Sequence, residues 1–138
     1  MSQVRDGAVV LGHDLGSVSR ARHWAAARCA ELTADLTPEQ RTDLRRLVEL
    51  VATELVANAV EHGRPPLRLA VERLGGDVRV RVEDGEPALP VRRDSPADAT
   101  SGRGIALVEH LSRRWGAERG AGGKVVWCDL PVDGPFPL

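Results

Sequence analysis

Aromatic side chains are nearly absent from this 138-residue chain, which has three Trp, one Phe and no Tyr. A core without them has to be aliphatic, built from Val, Leu and Ala. An excess of charge of one sign is also missing. The formal net charge is −1 with 28% charged residues. That excludes a bulk basic field for nucleic acid and a polybasic patch for a membrane surface. Long apolar runs are lacking too. The N-terminal MSQVRDGAVV has no apolar h-region, and no stretch approaches the ~20 apolar residues of a membrane helix. Cysteine is limited to Cys29 and Cys128, far apart and in no CxxC pair. Two buried free thiols are favoured over a disulfide or a metal site. These absences describe a soluble protein of a reducing compartment, expected in the cytoplasm.

Hydrophobic residues make up 42%, near the globular norm. The length fits one domain with one core. We read residues 1–138 as a single domain, with a core over about 7–131 and a tail at 132–138. Repeats and low-complexity tracts are absent.

Residues 8–11, AVVL, suit a short strand. Ser17 is the expected N-cap of a helix through Leu32, with Val18, Ala21, Ala25 and Cys29 on one side. Thr37-Pro38-Glu39-Gln40 is a strong start signal, combining a cap, a Pro at the first helical position and a capping box. The helix it starts should stop at Gly63, before Pro65 and Pro66. About 25 residues at 1.5 Å each give roughly 37 Å. LRLAVER (67–73) and VRVRVED (78–84) alternate as strands with one buried side. The turn Leu74-Gly75-Gly76-Asp77 makes them a hairpin. Residues 85–103 form a long loop of the kind used for lids and binding segments. A third helix is expected over 104–116, a Gly-rich turn over 117–123, and a last strand in KVVWCDLP. The fold class implied is α+β, a two-layer sandwich of a mixed, mainly antiparallel sheet covered by helices on one face.

Three places in this plan carry polar groups where apolar ones would be cheaper. The first is ELVANAVEHG (54–63). At 100° per residue, Leu44, Leu47, Val48, Val51, Leu55 and Ala59 share a stripe. Asn58 and His62 fall inside it, and Glu54 lies at its edge. Buried polar groups need partners. Either the backbone of a frayed helix end satisfies them, or they face a wet site. In such a site Asn58 would offer a neutral oxygen to a hard cation and Glu54 a base to a hydroxyl or water. The second place is Asp84, which continues the inward side of its strand after Val78, Val80 and Val82. It either caps a loop or accepts from a ligand amino group. The third is Gly102-Arg103-Gly104, just before the third helix. A helix N-terminus with flanking glycines suits phosphate; a plain loop-to-helix junction suits the same residues. Taken together, the three describe a nucleotide with Mg²⁺ bridging its phosphates.

These motifs resemble those of the GHKL (histidine-kinase-like) ATP-binding superfamily. ExxxN matches Glu54 to Asn58 in ELVANAVEH, the acidic adenine-binding residue matches Asp84, and the glycine motif matches Gly102-Arg103-Gly104. Within it, SVSRARHWAAARCAEL, ELVANAVEHG, GRGIALVEHLSRRWG and GKVVWCDLP are similar to the small anti-sigma-factor serine/threonine kinases. The resemblance implies ATP between lid and helices, Glu54 as the general base toward a protein serine, and Asn58 as the Mg²⁺ ligand. It also implies Asp84 as the acceptor of the adenine amine and Gly102, Arg103 and Gly104 on the phosphate side. His62 follows the NAxxH form. The partners implied are a sigma factor and an anti-sigma-factor antagonist. Exposed Val and Leu on strand or helix edges would support a homodimer.

Two departures stand out. The DxGxG box reads Asp84-Gly85-Glu86-Pro87-Ala88, without its later glycines. The last strand starts Gly123-Lys124-Val125-Val126, without the usual Thr. The expected function is an ATP-dependent kinase that is also a switch. The alternative is a catalytically weak or inactive GHKL-fold module whose partner binding is gated by nucleotide. A sensor-kinase ATPase domain ranks third, since no dimerisation helices or phospho-accepting His segment accompany it. His13, His23 and His110 are expected to be structural or exposed.

Overall fold

Thr37 starts the longest element. Its hydroxyl accepts from the Gln40 amide at 3.2 Å, and the Gln40 side chain accepts from the Thr37 amide at 3.0 Å. The computed structural model describes residues 4, 5, 7–87, 106–120 and 122–133. In it a first strand β1 (Val4–Arg5) and a second β2 (Ala8–Leu11) precede two helices, α1 (Gly16–Leu32) and α2 (Pro38–His62). Strands β3 (Leu67–Leu74), β4 (Asp77–Asp84), β5 (Arg114–Arg119) and β6 (Lys124–Pro131) follow.

The six strands form one sheet in the order β1-β2-β3-β4-β6-β5. Every neighbouring pair is antiparallel, which sharpens the expected mixed sheet to an antiparallel one. The β3–β4 turn passes through Gly75 at φ 60°, a left-handed conformation that favours glycine. Register then follows from alternation. Leu69 faces Val82, Val71 faces Val80, and Val82 faces Val126. These side chains point to the helical layer. Buried opposite them are Leu44, Leu47, Val48, Val51, Leu55 and Ala59 of α2, with Ala21, Ala25 and Cys29 of α1. Each Leu or Val removed from water stabilises by roughly 1.5–3 kcal/mol. Helix α2 packs on β4 and β6, while α1 packs on α2 and β3. This is the helix-on-one-face α+β sandwich that the alternation implies.

The other face of the sheet is charged. Asp129 of β6 is fully buried there and receives Arg79 through Nε at 2.7 Å and Nη2 at 3.0 Å. Arg114 Nη2 adds a bond at 3.2 Å. The Arg79 guanidinium also lies 4.2 Å from the centroid of the Trp127 ring, a cation–π distance.

Three expectations are corrected. The α1 cap is not Ser17, which sits buried in the first turn; Asp14 Oδ1 accepts from the Ser17 amide at 3.0 Å instead. The third helix does not reach 116. Helix covers 106–111 among the described residues, and 114–119 is strand β5. The expected Gly-rich turn over 117–123 is accordingly shorter. RWGAER carries helix-compatible residues, but pairing with β6 decides its conformation. Strand β1 is an element on which the sequence reading was silent.

Candidate functional site

The α2 capping box fixes where the helix starts, and 25 residues later it ends at His62. That phase sets which late residues face the sheet. Leu55 and Ala59 do so and are buried, whereas Glu54 and Asn58 are half-buried on the flank. Neither of the two makes a hydrogen bond or ion pair with a described residue. A frayed end in which the backbone satisfies Asn58 is therefore not what forms. His62 departs from the expected stripe. Its side chain is exposed, 3.5 Å from the Glu61 carboxylate, because α2 has by then passed the edge of the core.

The helix end is tied off. The Gly63 amide donates to the Ala59 carbonyl at 2.8 Å. His13 Nε2, from the loop before α1, lies 3.2 Å from the Gly63 carbonyl, which calls for the tautomer that donates from Nε2. A Cβ on Gly63 would lie 2.5 Å from the Ala59 carbonyl oxygen and 2.7 Å from Asp84 Cγ. Glycine thus lets the end of α2 and the tip of β4 touch.

Asp84 is buried at that tip, on the inward side, as alternation requires. Its carboxylate is not open. Oδ1 accepts the Glu86 amide at 2.7 Å. The ammonium of Lys124, at the start of β6, lies 3.3 Å from both Oδ1 and Oδ2. Side-chain exposures of 7% for Lys124 and 2% for Asp84 make this a buried ion pair. The same ammonium reaches the Glu86 carbonyl at 3.5 Å. The β4–β6 register aligns the two, with Asp84 opposite Lys124. The segment leaving β4 is further fastened by Gly85 N–H to the Arg64 carbonyl at 2.6 Å and by Arg64 to Glu86 at 2.9 Å. Arg119 Nε donates to the Pro87 carbonyl at 3.2 Å.

So the structure joins the end of α2 to Asp84, and leaves Asn58 and Glu54, about one and two turns before that end, without a bond to a described residue. Gly102, Arg103 and Gly104 lie outside the described residues. Lys124 is the residue that sequence reasoning missed. Its signal was available: Val126, Cys128 and Leu130 point inward, and counting back by two reaches Lys124. It is also the only lysine among the 19 Lys and Arg residues.

A cavity of about 280 Å³ lies at these strand tips, lined among others by Arg68, Glu83, Asp84, Gly123, Lys124 and Val125. Strand parity puts Asp84 and Lys124 on the inward side of the sheet and Arg68, Glu83 and Val125 on the other, so the cavity sits at the strand ends. Among the described residues no three His, Cys, Asp or Glu side chains gather as a metal site. No helix there is long and apolar enough to cross a membrane.

Residues 12–129 match the family described as histidine kinase-like ATPase domain. The chain is 30% identical over 135 residues to the signal transduction histidine-protein kinase AfsQ2 of Streptomyces coelicolor, covering 85% of this chain and 24% of that one. It is also similar to the uncharacterized protein SCO4941 of the same organism, at 33% identity over 89 residues, 61% of this chain and 85% of that protein. Among solved structures, the histidine kinase domain of the blue-light activated histidine kinase from Erythrobacter litoralis EL346 superposes with a TM-score of 0.52. That match is 18% identical and covers 81% of this chain and 61% of the other, which speaks for the fold. The chain spans only about a quarter of the length of AfsQ2.

Proposed function

The chain belongs to the histidine kinase-like ATPase domain family, and from that membership we propose that it is an ATP-binding regulatory protein acting as an anti-sigma-factor serine/threonine kinase. The observation that carries this reading is the Glu54–Asn58 pair. They sit one helical turn apart, half-buried, with no bond to a described residue. Side chains four apart on a helix are about 6 Å apart, close enough to serve one small object.

ATP with Mg²⁺, when bound, supplies the transferable phosphoryl group and neutralises its charge. Asn58 suits the metal through its neutral amide oxygen, a hard ligand of the kind that Mg²⁺ takes beside waters and substrate phosphates. Glu54 takes the proton from a protein serine hydroxyl whose oxygen displaces ADP at the γ-phosphorus. Asp84 is the acceptor for the base amine, and the phosphate role is assigned to Gly102, Arg103 and Gly104. The protein substrate is an anti-sigma-factor antagonist, and the regulated partner is a sigma factor.

Glu54→Gln is isosteric and removes the base. It should keep ATP binding by calorimetry while phosphotransfer from radiolabelled ATP to a candidate antagonist falls by ~10²-fold or more. Undiminished transfer by this variant would reject the base assignment. The similarity to AfsQ2 favours a second reading, in which the phosphoryl group goes to a histidine. Acid lability of the labelled product separates the two. The Asp84–Lys124 pair favours a third, a module with little catalysis, for which no labelled product forms at all.

A further inference from the structure

Asp84 has a partner of its own. A carboxylate that reads a base needs a lone pair turned toward the ligand. Here Oδ1 holds the Glu86 amide and both oxygens hold the Lys124 ammonium. The Lys124 ammonium donates to Oδ1 and to the Glu86 carbonyl and lies in ion-pair contact with Oδ2. Both side chains are almost fully buried.

We propose that Lys124 is a built-in stand-in for the ligand's amino group, and that it sets the affinity of the base site by occupying Asp84. The inference rests on the reading of Asp84 as the base acceptor. An exocyclic amine presents N–H groups to a carboxylate, as an ammonium does, but without the charge. It therefore enters only after the Asp84–Lys124 pair has opened, and the apparent dissociation constant rises by the inverse of the fraction open. The charge-assisted bonds are stronger than the neutral ones that would replace them, so the closed form dominates. Lys124 also holds the Glu86 carbonyl. Opening the pair therefore also gives up the Lys124 bond to the Glu86 carbonyl, while the Gly85–Arg64 and Arg64–Glu86 contacts stay in place.

The test compares wild type with Lys124→Thr, which leaves room for a neutral base edge beside Asp84. Calorimetry with Mg-ATP should show binding at least ~tenfold tighter in Lys124→Thr. A larger thermal shift by ATP should accompany it, since a ligand of the folded state raises stability. Adding Asp84→Asn to Lys124→Thr should abolish the gain, which shows that it passes through the carboxylate. If Lys124→Thr fails to fold by circular dichroism, Lys124→Gln takes its place. It keeps amide donors for Asp84 and Glu86 but not the ion pair, and should give a smaller gain of the same sign. Equal or weaker ATP binding in a folded Lys124 variant overturns the proposal while leaving the ATP reading intact. Failure of wild type and every variant to bind ATP overturns both.

Discussion

Two buried aspartates end up in opposite situations although both face arginine or lysine. Asp84 meets a single ammonium, a point charge that bridges its two oxygens at 3.3 Å. Asp129 meets the planar fork of Arg79 at 2.7 and 3.0 Å, with Arg114 behind it. A bidentate guanidinium is held by geometry as well as charge. The Asp129 site, on the uncovered sheet face, is therefore a fixed brace between β4, β6 and β5. Asp129→Ala would leave Arg79 stacked on Trp127 without its acceptor. Arg79 keeps 30% side-chain exposure, so water can solvate it in part. The loss expected is about 1–3 kcal/mol of unfolding free energy, read as a lower urea midpoint with unchanged m. An unchanged midpoint would mean that the brace contributes nothing.

At the scale of elements, the strongest local signals decide the architecture. The Thr37 capping box forms as written in the sequence. Thr37→Ala should cost about 1 kcal/mol in chemical denaturation, while leaving ATP binding unchanged because the site is at the far end of α2. A larger loss would mean that Thr37 also supports the α1–α2 connection. Elements with periodicity or a cap were legible: α2, the β3–β4 hairpin and β6 all stand where alternation put them. What escaped reading was decided by distant partners. β5 is six residues with only Trp115 and Ala117 facing the core. Its Gly116 lies opposite Trp127, where a Cβ would come 2.7 Å from the indole. No local pattern in RWGAER announces that contact. The candidate site divides the same way. Glu54, Asn58 and Asp84 are readable from helix phase and strand parity, whereas the Asp84–Lys124 pairing needs the register of two strands 40 residues apart. The outward turn of His62 depends on where the core stops, which the helix pattern does not state.

The molecule as a whole buries its thiols. Cys128 lies between the layers with no exposure. Burial pushes its thiol from the ordinary 9.0 up to about 12, with a hydrogen bond to Ser112 opposing part of that rise. Burial also raises Cys29, against a hydrogen bond to Thr33. Both cysteines are free. A raised folded value means that the folded protein holds a proton which the unfolded chain gives up. The contribution of Cys128 to stability is complete below the unfolded value near 9 and declines as pH rises toward the folded value near 12. In that window stability falls by up to about 1.4 kcal/mol per pH unit for one thiol. The chain has no tyrosine, so no phenol titrates alongside. Urea midpoints measured from pH 8 to 11 should fall more steeply for wild type than for Cys128→Val, a swap of similar volume. Thiol reagents at neutral pH should find neither cysteine until denaturant is added. Parallel midpoint curves, or rapid labelling of the folded protein, would show that the space between sheet and helices admits water. The aliphatic core that the shortage of aromatic residues requires would then be less closely packed than its burial indicates.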